Sequence, residues 1–234
     1  MSLFKAIAAA LFLLTGCTVP RAEITPEGYL EVFGPFAVVT DDNIGEDWII
    51  EGVELEKFLK NNFASASHDG SSSLTLTSGS KRFALLRRVK ANLLAAPFLY
   101  WSWKISAFNG DEHPVRLIVG FHGGNPKSGS WSSQPLTYLG TNLPPHDRII
   151  ALTWNRDAAR RGNVIRVSRI PRYVARGGNV SASWASENIN LAALYRKIWP
   201  WDEHVNTRVM FIGFSARATA KSTRAEFADL VLSK

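Results

Sequence analysis

Three acids, Glu187, Glu226 and Asp229, are candidates for paired carboxylates, since the faces of a β-sandwich can hold two acids across strands. Two carboxylates facing each other across a groove are what hydrolysis of a glycosidic bond needs, one as acid and one as base or nucleophile. Glu187 or His122 would then supply the acid or base of a glycan hydrolase or lyase, yet the spacing of the acids in the chain is no signature of such a pair. Nucleophilic hydrolysis has less support, because no G-x-S-x-G elbow occurs. Gly124-Asn125-Pro126-Lys127-Ser128-Gly129 nearly spells a phosphate loop, but Ser130-Trp131 follows where Lys-Ser or Lys-Thr is required. The five histidines, at 68, 113, 122, 146 and 204, form no close-spaced ligand pair. Asp111-Glu112-His113 offers oxygens to calcium but reads better as a turn. No metal or other cofactor is expected.

Binding chemistry is better supplied than bond-breaking chemistry. A flat aromatic ring covers the apolar face of a pyranose, and Tyr100, Trp131, Trp154, Trp184, Trp199 and Trp201 are the candidate rings. The formal charge is +7, and its excess is concentrated. Arg148, Arg156, Arg160, Arg161, Arg166, Arg169, Arg172 and Arg176 share one segment with Asp147 and Asp157 as its acids. Guanidinium forks suit bidentate contact with phosphate or carboxylate. Arg160, Arg161, Arg172 and Arg176 are expected to gather in the loops of this segment as a positive surface.

Cys17 is the chain's one thiol, and it follows Leu14-Thr15-Gly16. Lys5 and the apolar run Ala6 to Leu14 precede it. That run is far too short for a ~30 Å hydrocarbon core and suits a signal h-region. Small residues at 15 and 16 admit a peptidase, and a thiol can take a diacylglycerol thioether. Residues 1–16 therefore read as a lipoprotein signal peptide, with Cys17 lipid-modified and Thr18 favouring the outer membrane over the inner one. The chain is expected on the periplasmic side, held to the membrane by lipid, where nucleic acid is no partner. A lipidated Cys17 leaves no thiol for a disulfide, so stability must come from packing, for which 8 Trp and 13 Phe provide the area.

The elements that would position these groups are mostly strands. Residues 17–32 read as the lipidated N-terminus and tether, and 33–234 as one domain. Leu99, Trp101, Trp103 and Ile105 alternate with Tyr100, Ser102 and Lys104 over Phe98 to Ile105, which predicts a half-buried strand with both Trp in the core. Val115, Leu117, Val119 and Phe121 alternate likewise with Arg116, Ile118, Gly120 and His122. Further strands are predicted at Ser73–Thr77, Leu85–Val89, Arg148–Trp154, Val164–Ile170, Arg208–Phe214 and Glu226–Leu232. Trp48 to Phe63 is ambiguous, with Val53, Leu55, Phe58, Leu59 and Phe63 marking one face if it is helical. One short helix is predicted over Leu191 to Ile198, capped by Asn190 and stopped by Pro200. Many strands between Gly- and Pro-rich loops, with one short helix, predict an all-β fold, an antiparallel jelly-roll-like β-sandwich.

Several segments in order resemble the uncharacterised bacterial family called domain of unknown function 3047. They are Phe83-Ala84-Leu85-Leu86-Arg87-Arg88-Val89, Pro97 to Ile105, Gly110 to Leu117, Trp184-Ala185-Ser186-Glu187-Asn188 and Glu226-Phe227-Ala228-Asp229-Leu230, within a span from Phe33 to Leu232. The resemblance implies an exported jelly-roll sandwich of the kind used by carbohydrate-binding modules and some glycan-cleaving enzymes, and it implies no specific activity. Where the family has an acidic, Thr- and Asn-rich stretch, this chain has the basic Ser215 to Thr223. The expected function is non-catalytic binding of an acidic glycan, lipopolysaccharide or other anionic envelope polymer. Tyr100, Lys104, Arg116 and His122, with Glu187 and Asp229, are the candidate ligand site. The alternatives are the hydrolase or lyase already described and a structural partner of another envelope protein.

Overall fold

The computed structural model describes residues 21–34, 44–128, 142–166, 168–180 and 183–234. Among them, fourteen strands form two sheets packed face to face. The larger sheet has the order β1 (Ala22–Glu23), β6 (Phe83–Asn92), β13 (Arg208–Ala216), β8 (Val115–His122), β9 (Arg148–Asn155), β11 (Arg172–Gly177) and β10 (Val164–Ile165). β3 (Trp48–Glu51) also pairs with β6. The smaller sheet has the order β12 (Ala185–Asn190), β7 (Phe98–Ile105), β14 (Arg224–Ser233), β5 (Ser71–Thr77) and β4 (Phe63–His68), and β2 (Tyr29–Glu31) pairs with the end of β14. Most pairs are antiparallel, with β1–β6 and β9–β11 parallel.

Alternation decides which residues meet between the sheets. Leu99, Trp101, Trp103 and Ile105 of β7 are buried against the inward row Val115, Leu117, Val119 and Phe121 of β8 and the inner residues of β13. Aromatic contacts cross the gap: Trp103 lies 5.2 Å from Trp154 of β9, and Phe214 of β13 lies 4.4 Å from Phe227 of β14. Such tilted ring pairs add to what burial alone gives.

The larger sheet differs from the sequence expectation on its outer side. Ile118 and Gly120 point away from the main core, yet both are buried. Ile49, Ala84, Leu86, Ile118, Ile149, Ala151, Ile170, Met210 and Phe211 make a second apolar cluster there, with Leu143 against it. The ring of Phe211 lies over Gly120, where a β-carbon would collide with it. This sheet is thus covered on both faces over part of its area.

Helix α1 (Leu55–Asn61) buries Phe58, and helix α2 (Leu191–Ile198) buries Leu191, Leu194, Tyr195 and Ile198. Asn190 caps α2 by accepting from Ala193 N at 2.8 Å. The ambiguous stretch from Trp48 resolves into β3, α1 and the start of β4, so there are two short helices where one was predicted. The strand expected over Val164–Ile170 ends at Ile165, and Ser168 to Ile170 are bends over the second cluster. Ala22–Glu23 and Tyr29–Glu31, read in sequence as tether, are strands that add to the two sheets. Two or three residues are too few to carry an alternation pattern. The lipobox, Cys17 and Trp131 lie outside the described residues.

Candidate functional site

β6 and β8 begin, and β13 ends, at one end of the larger sheet, where Ala216 is in register with both Phe83 and Val115. One step inward, Ser215 is in register with Ala84 and Arg116, so Ser215 and Arg116 share the outer face. The bends at Ser168 to Ile170 and the residues after β13 stand around this spot. Between them is a cavity of about 590 Å3 whose walls carry Arg82, Arg116, Arg169, Arg172 and Arg217. Ile170, Ala216 and Ala218 supply apolar surface to it. A second cavity, of about 480 Å3, adjoins it, sharing Arg172, Arg217 and Ala218 and adding Arg160, Asp111 and Glu112.

Arginines outnumber acids on the walls of the two cavities. Arg172 Nη1 donates to Glu112 Oε2 at 2.7 Å, and Arg217 Nη2 donates to the backbone oxygen of Glu112 at 3.0 Å. Glu112 is buried and faces the groove from the strand-like bridge it makes with Asn155. Arg169 is exposed and forms no ion pair among the described residues. Two buried polar atoms at the cavity, Arg172 Nε and Ser215 Oγ, have no hydrogen-bond partner among the described residues. A buried group left in that state costs stability of about 1–3 kcal/mol unless something satisfies it. Six guanidiniums and two carboxylates line the two cavities, with Arg160 also bound by Asp157 and with orphan donors in the wall, a setting whose chemistry suits an anion that carries more than one charge.

The family described as "Protein of unknown function (DUF3047)" matches residues 46–231 of this chain. The chain belongs to that family. No curated protein matches it. Among solved structures, the DUF3047 chain is similar to a family 12 xyloglucanase from Bacillus licheniformis, with 13% identity, TM-score 0.40, and 92% of this chain and 96% of that one covered. It is similar to endoglucanase 3 of family GH12 from Trichoderma harzianum, with 10% identity, TM-score 0.39, and 94% and 96% covered. It is also similar to the family 11 carbohydrate-binding module from Clostridium thermocellum, with 10% identity, TM-score 0.37, and 89% and 96% covered. At these values no ligand or activity passes from those proteins to this one.

The six residues that sequence reasoning grouped do not converge in the DUF3047 fold. Arg116 lines the groove. Tyr100 and Lys104 lie on the outer face of the other sheet, where Lys104 Nζ is 3.5 Å from Glu226 Oε1. The two outer faces of a sandwich point in opposite directions, so these residues cannot share a ligand with Arg116. Glu187 is in register with Trp101 and therefore points inward. It is buried, and it accepts from Arg161 Nη2 at 3.1 Å, from Arg176 Nε and from Trp103 Nε1. That cluster joins β12 of one sheet to β11 of the other and leaves no oxygen for proton transfer. Glu187 and Glu226 thus occupy opposite faces of one sheet and do not form the carboxylate pair of a glycosidase. Asp229 sits in the β14 bulge with φ of 53°.

His122, at the far end of β8, does meet a serine and an acid. Ser128 Oγ is 3.2 Å from His122 Nδ1, and Asp147 Oδ2 is 3.6 Å from the same nitrogen. A catalytic relay holds the acid and the nucleophile on opposite ring nitrogens; here Ser128 Oγ is 3.4 Å from Nε2 but closer to Nδ1, the nitrogen that Asp147 faces. Among the described residues no three His, Cys, Asp or Glu side chains gather where they could hold a metal ion.

The expected arginine surface is also rearranged. Arg148 is bound at two points by Asp202, at 2.7 and 2.9 Å, which holds its guanidinium further above its usual range. Arg160 pairs with Asp157, and Arg161 and Arg176 share Glu187. Arg156 and Arg166 donate to backbone oxygens of Phe108 and Ile198. Acids outside the segment pair with Arg148, Arg161, Arg172 and Arg176, half of its arginines. Arg169 and Arg172 keep their place in the site and are joined by Arg116 of β8 and by Arg82 and Arg217, which border β6 and β13. The one sequence signal for Arg217 is the basic stretch from Ser215 to Thr223. Of the candidate aromatic rings, Trp154 is core, Trp199 packs on Tyr195, and Trp184 stacks on His68 at 4.0 Å.

Proposed function

We propose that this protein is a cell-envelope lipoprotein, acylated at Cys17 and facing the periplasm from the outer membrane, that binds an anionic envelope polymer without cleaving it. The ligand is an acidic glycan or lipopolysaccharide, and it lies in the arginine-lined groove. The observation that carries this reading is the 590 Å3 cavity with five guanidiniums on its walls. Such a volume matches a site for a few sugar units or a comparable ligand, and each charge-assisted contact contributes about 1.5–3 kcal/mol.

The test is binding of uronate oligosaccharides and of lipopolysaccharide to the mature chain, with neutral oligosaccharides of the same length beside them. Acidic ligands should bind at low salt and weaken as the Debye length falls from ~30 Å at 0.01 M to ~8 Å at 0.15 M. Arg82→Gln with Arg169→Gln removes two exposed charges and should weaken binding roughly tenfold per arginine. Equal binding of neutral and acidic ligands, or no binding at low salt, would refute the reading.

A further inference from the structure

The described residues expose seven large apolar side chains; Leu94, Trp201 and Val205 stand in loops at the end of the sandwich opposite the arginine groove, and Tyr29, Phe98 and Tyr100 lie on the outer face of the smaller sheet toward that end. That end is where β6 and β8 finish and β13 starts, with Arg208 in register with Asn92 and His122. Leu94 follows β6, and its neighbour Asn92 donates from Nδ2 to the backbone oxygen of Val205 at 3.1 Å. Phe98 and Tyr29 both pair with Ser233, and Tyr100 lies two residues along the same strand. Trp201 completes the group in the turn after α2.

Trp201 is 90% exposed and Val205 70% exposed, although the loop that bears them is held firmly. Asp202, between them, is buried and accepts from Tyr195 Oη at 2.8 Å as well as from Arg148. Glu203 N donates to Gly124 O at 2.7 Å, and Thr207 Oγ1 donates to Glu203 O at 2.6 Å. The loop therefore presents its Trp and Val in a fixed position, and seating them elsewhere costs little ordering entropy.

We propose that this end docks on the interface of a lipid bilayer, with Trp201 and Val205 entering the headgroup region. Trp and Tyr favour that layer because an apolar ring can lie in it while its N–H or O–H stays hydrated. Lys197, Arg208 and Lys234 are exposed around the tip, with Glu27 and Glu203 as acids, and these cations suit anionic headgroups. The docking goes beyond the groove reading and draws on the lipoprotein reading for nearness to a membrane alone. Ala22 is level with Val89, three residues short of the end of β6. The five residues from Cys17 to Ala22 span up to ~17 Å, more than the ~10 Å rise of those three strand residues.

The experiment labels the tip of the full chain in phosphatidylethanolamine–phosphatidylglycerol vesicles. Val205→Cys and, at the groove end, Ser80→Cys carry an environment-sensitive fluorophore in separate samples, with lipid-chain quenchers in the bilayer. The label at 205 should shift to the blue and be quenched several-fold more than the label at 80. Trp201→Ser should reduce that difference. Equal water exposure of the two labels overturns the docking, and so does protection of residue 205 that persists without lipid, which would mean a protein partner. The mass of the mature N-terminus reports acylation of Cys17 independently, so loss of the anchor and loss of the docking are read apart.

Discussion

His113 is fully buried, with its ring 5.2 Å from Phe108 in an edge contact and its Nδ1 accepting from Val115 N at 3.2 Å. Burial pushes it from 6.5 down to about 4, because an imidazolium there would lose its water. The unfolded chain takes up this proton near pH 6.5, and the folded chain does so near pH 4. Between those values the unfolded state holds more protons, so stability falls as pH falls. The contribution of His113 is complete above about pH 6.5 and lost by about pH 4, and it amounts to roughly 3 kcal/mol. His146, also lowered by burial, works in the same direction. Urea melts from pH 7.5 to 4.5 should show a steep fall for the native chain and a flatter one for His113→Gln. The same slope in both would place the proton uptake elsewhere. His113 is thus a packing residue, and its neighbour Glu112 is the groove acid. A residue's type alone does not separate these roles, as Glu187 also shows, its carboxylate spent on Arg176 of the other sheet and on Arg161.

At the scale of elements, β7, β8 and α2 were legible to the residue, because each has a strong period of two or a cap and stop of its own. β4, β11 and β12 were not. β4 reads FASASH and β12 reads ASENIN, with little apolar alternation, and β11 pairs in parallel with β9 across a bulge. Their strand form comes from hydrogen bonds to a neighbour far along the chain. The groove was equally hidden, since its five arginines come from positions 82 to 217 and meet through the topology. Where the alternation is strong, the energetics should follow it. Trp101 and Trp103 are fully buried, whereas Tyr100 is 37% exposed. Trp101→Ala and Trp103→Ala should each cost about 3–5 kcal/mol, and Trp103→Ala also removes a donor to Glu187. Tyr100→Ala and Lys104→Ala should cost much less in the same denaturant melts. Comparable losses at all four positions would mean that the outer face of β7 is packed as tightly as its inner face.

At the scale of the whole molecule, the two ends of the sandwich carry opposite surface chemistry. The nine-residue β13 runs from one to the other, which sets them ~30 Å apart. Arginines mark one end and exposed aromatic and aliphatic residues mark the other. Their contacts must respond differently to salt. Ion pairing at the groove is screened as ionic strength rises, while the apolar burial of Trp201 and Val205 in a bilayer interface is not, so docking at that end should weaken much less with salt than polymer binding does. A chain docked by the apolar end therefore holds the groove away from the membrane, free for a polymer. Mature protein with Cys17→Ser, which has no lipid anchor, should bind vesicles and sediment a fluorescent acidic polysaccharide with them at low salt. At 0.15 M salt the polysaccharide should be released while the protein stays with the vesicles. Arg82→Gln with Arg169→Gln should abolish capture of the polymer and leave the protein on the lipid. If salt removes protein and polymer together, the arginines themselves hold the membrane, and the molecule sits with its groove against the headgroups.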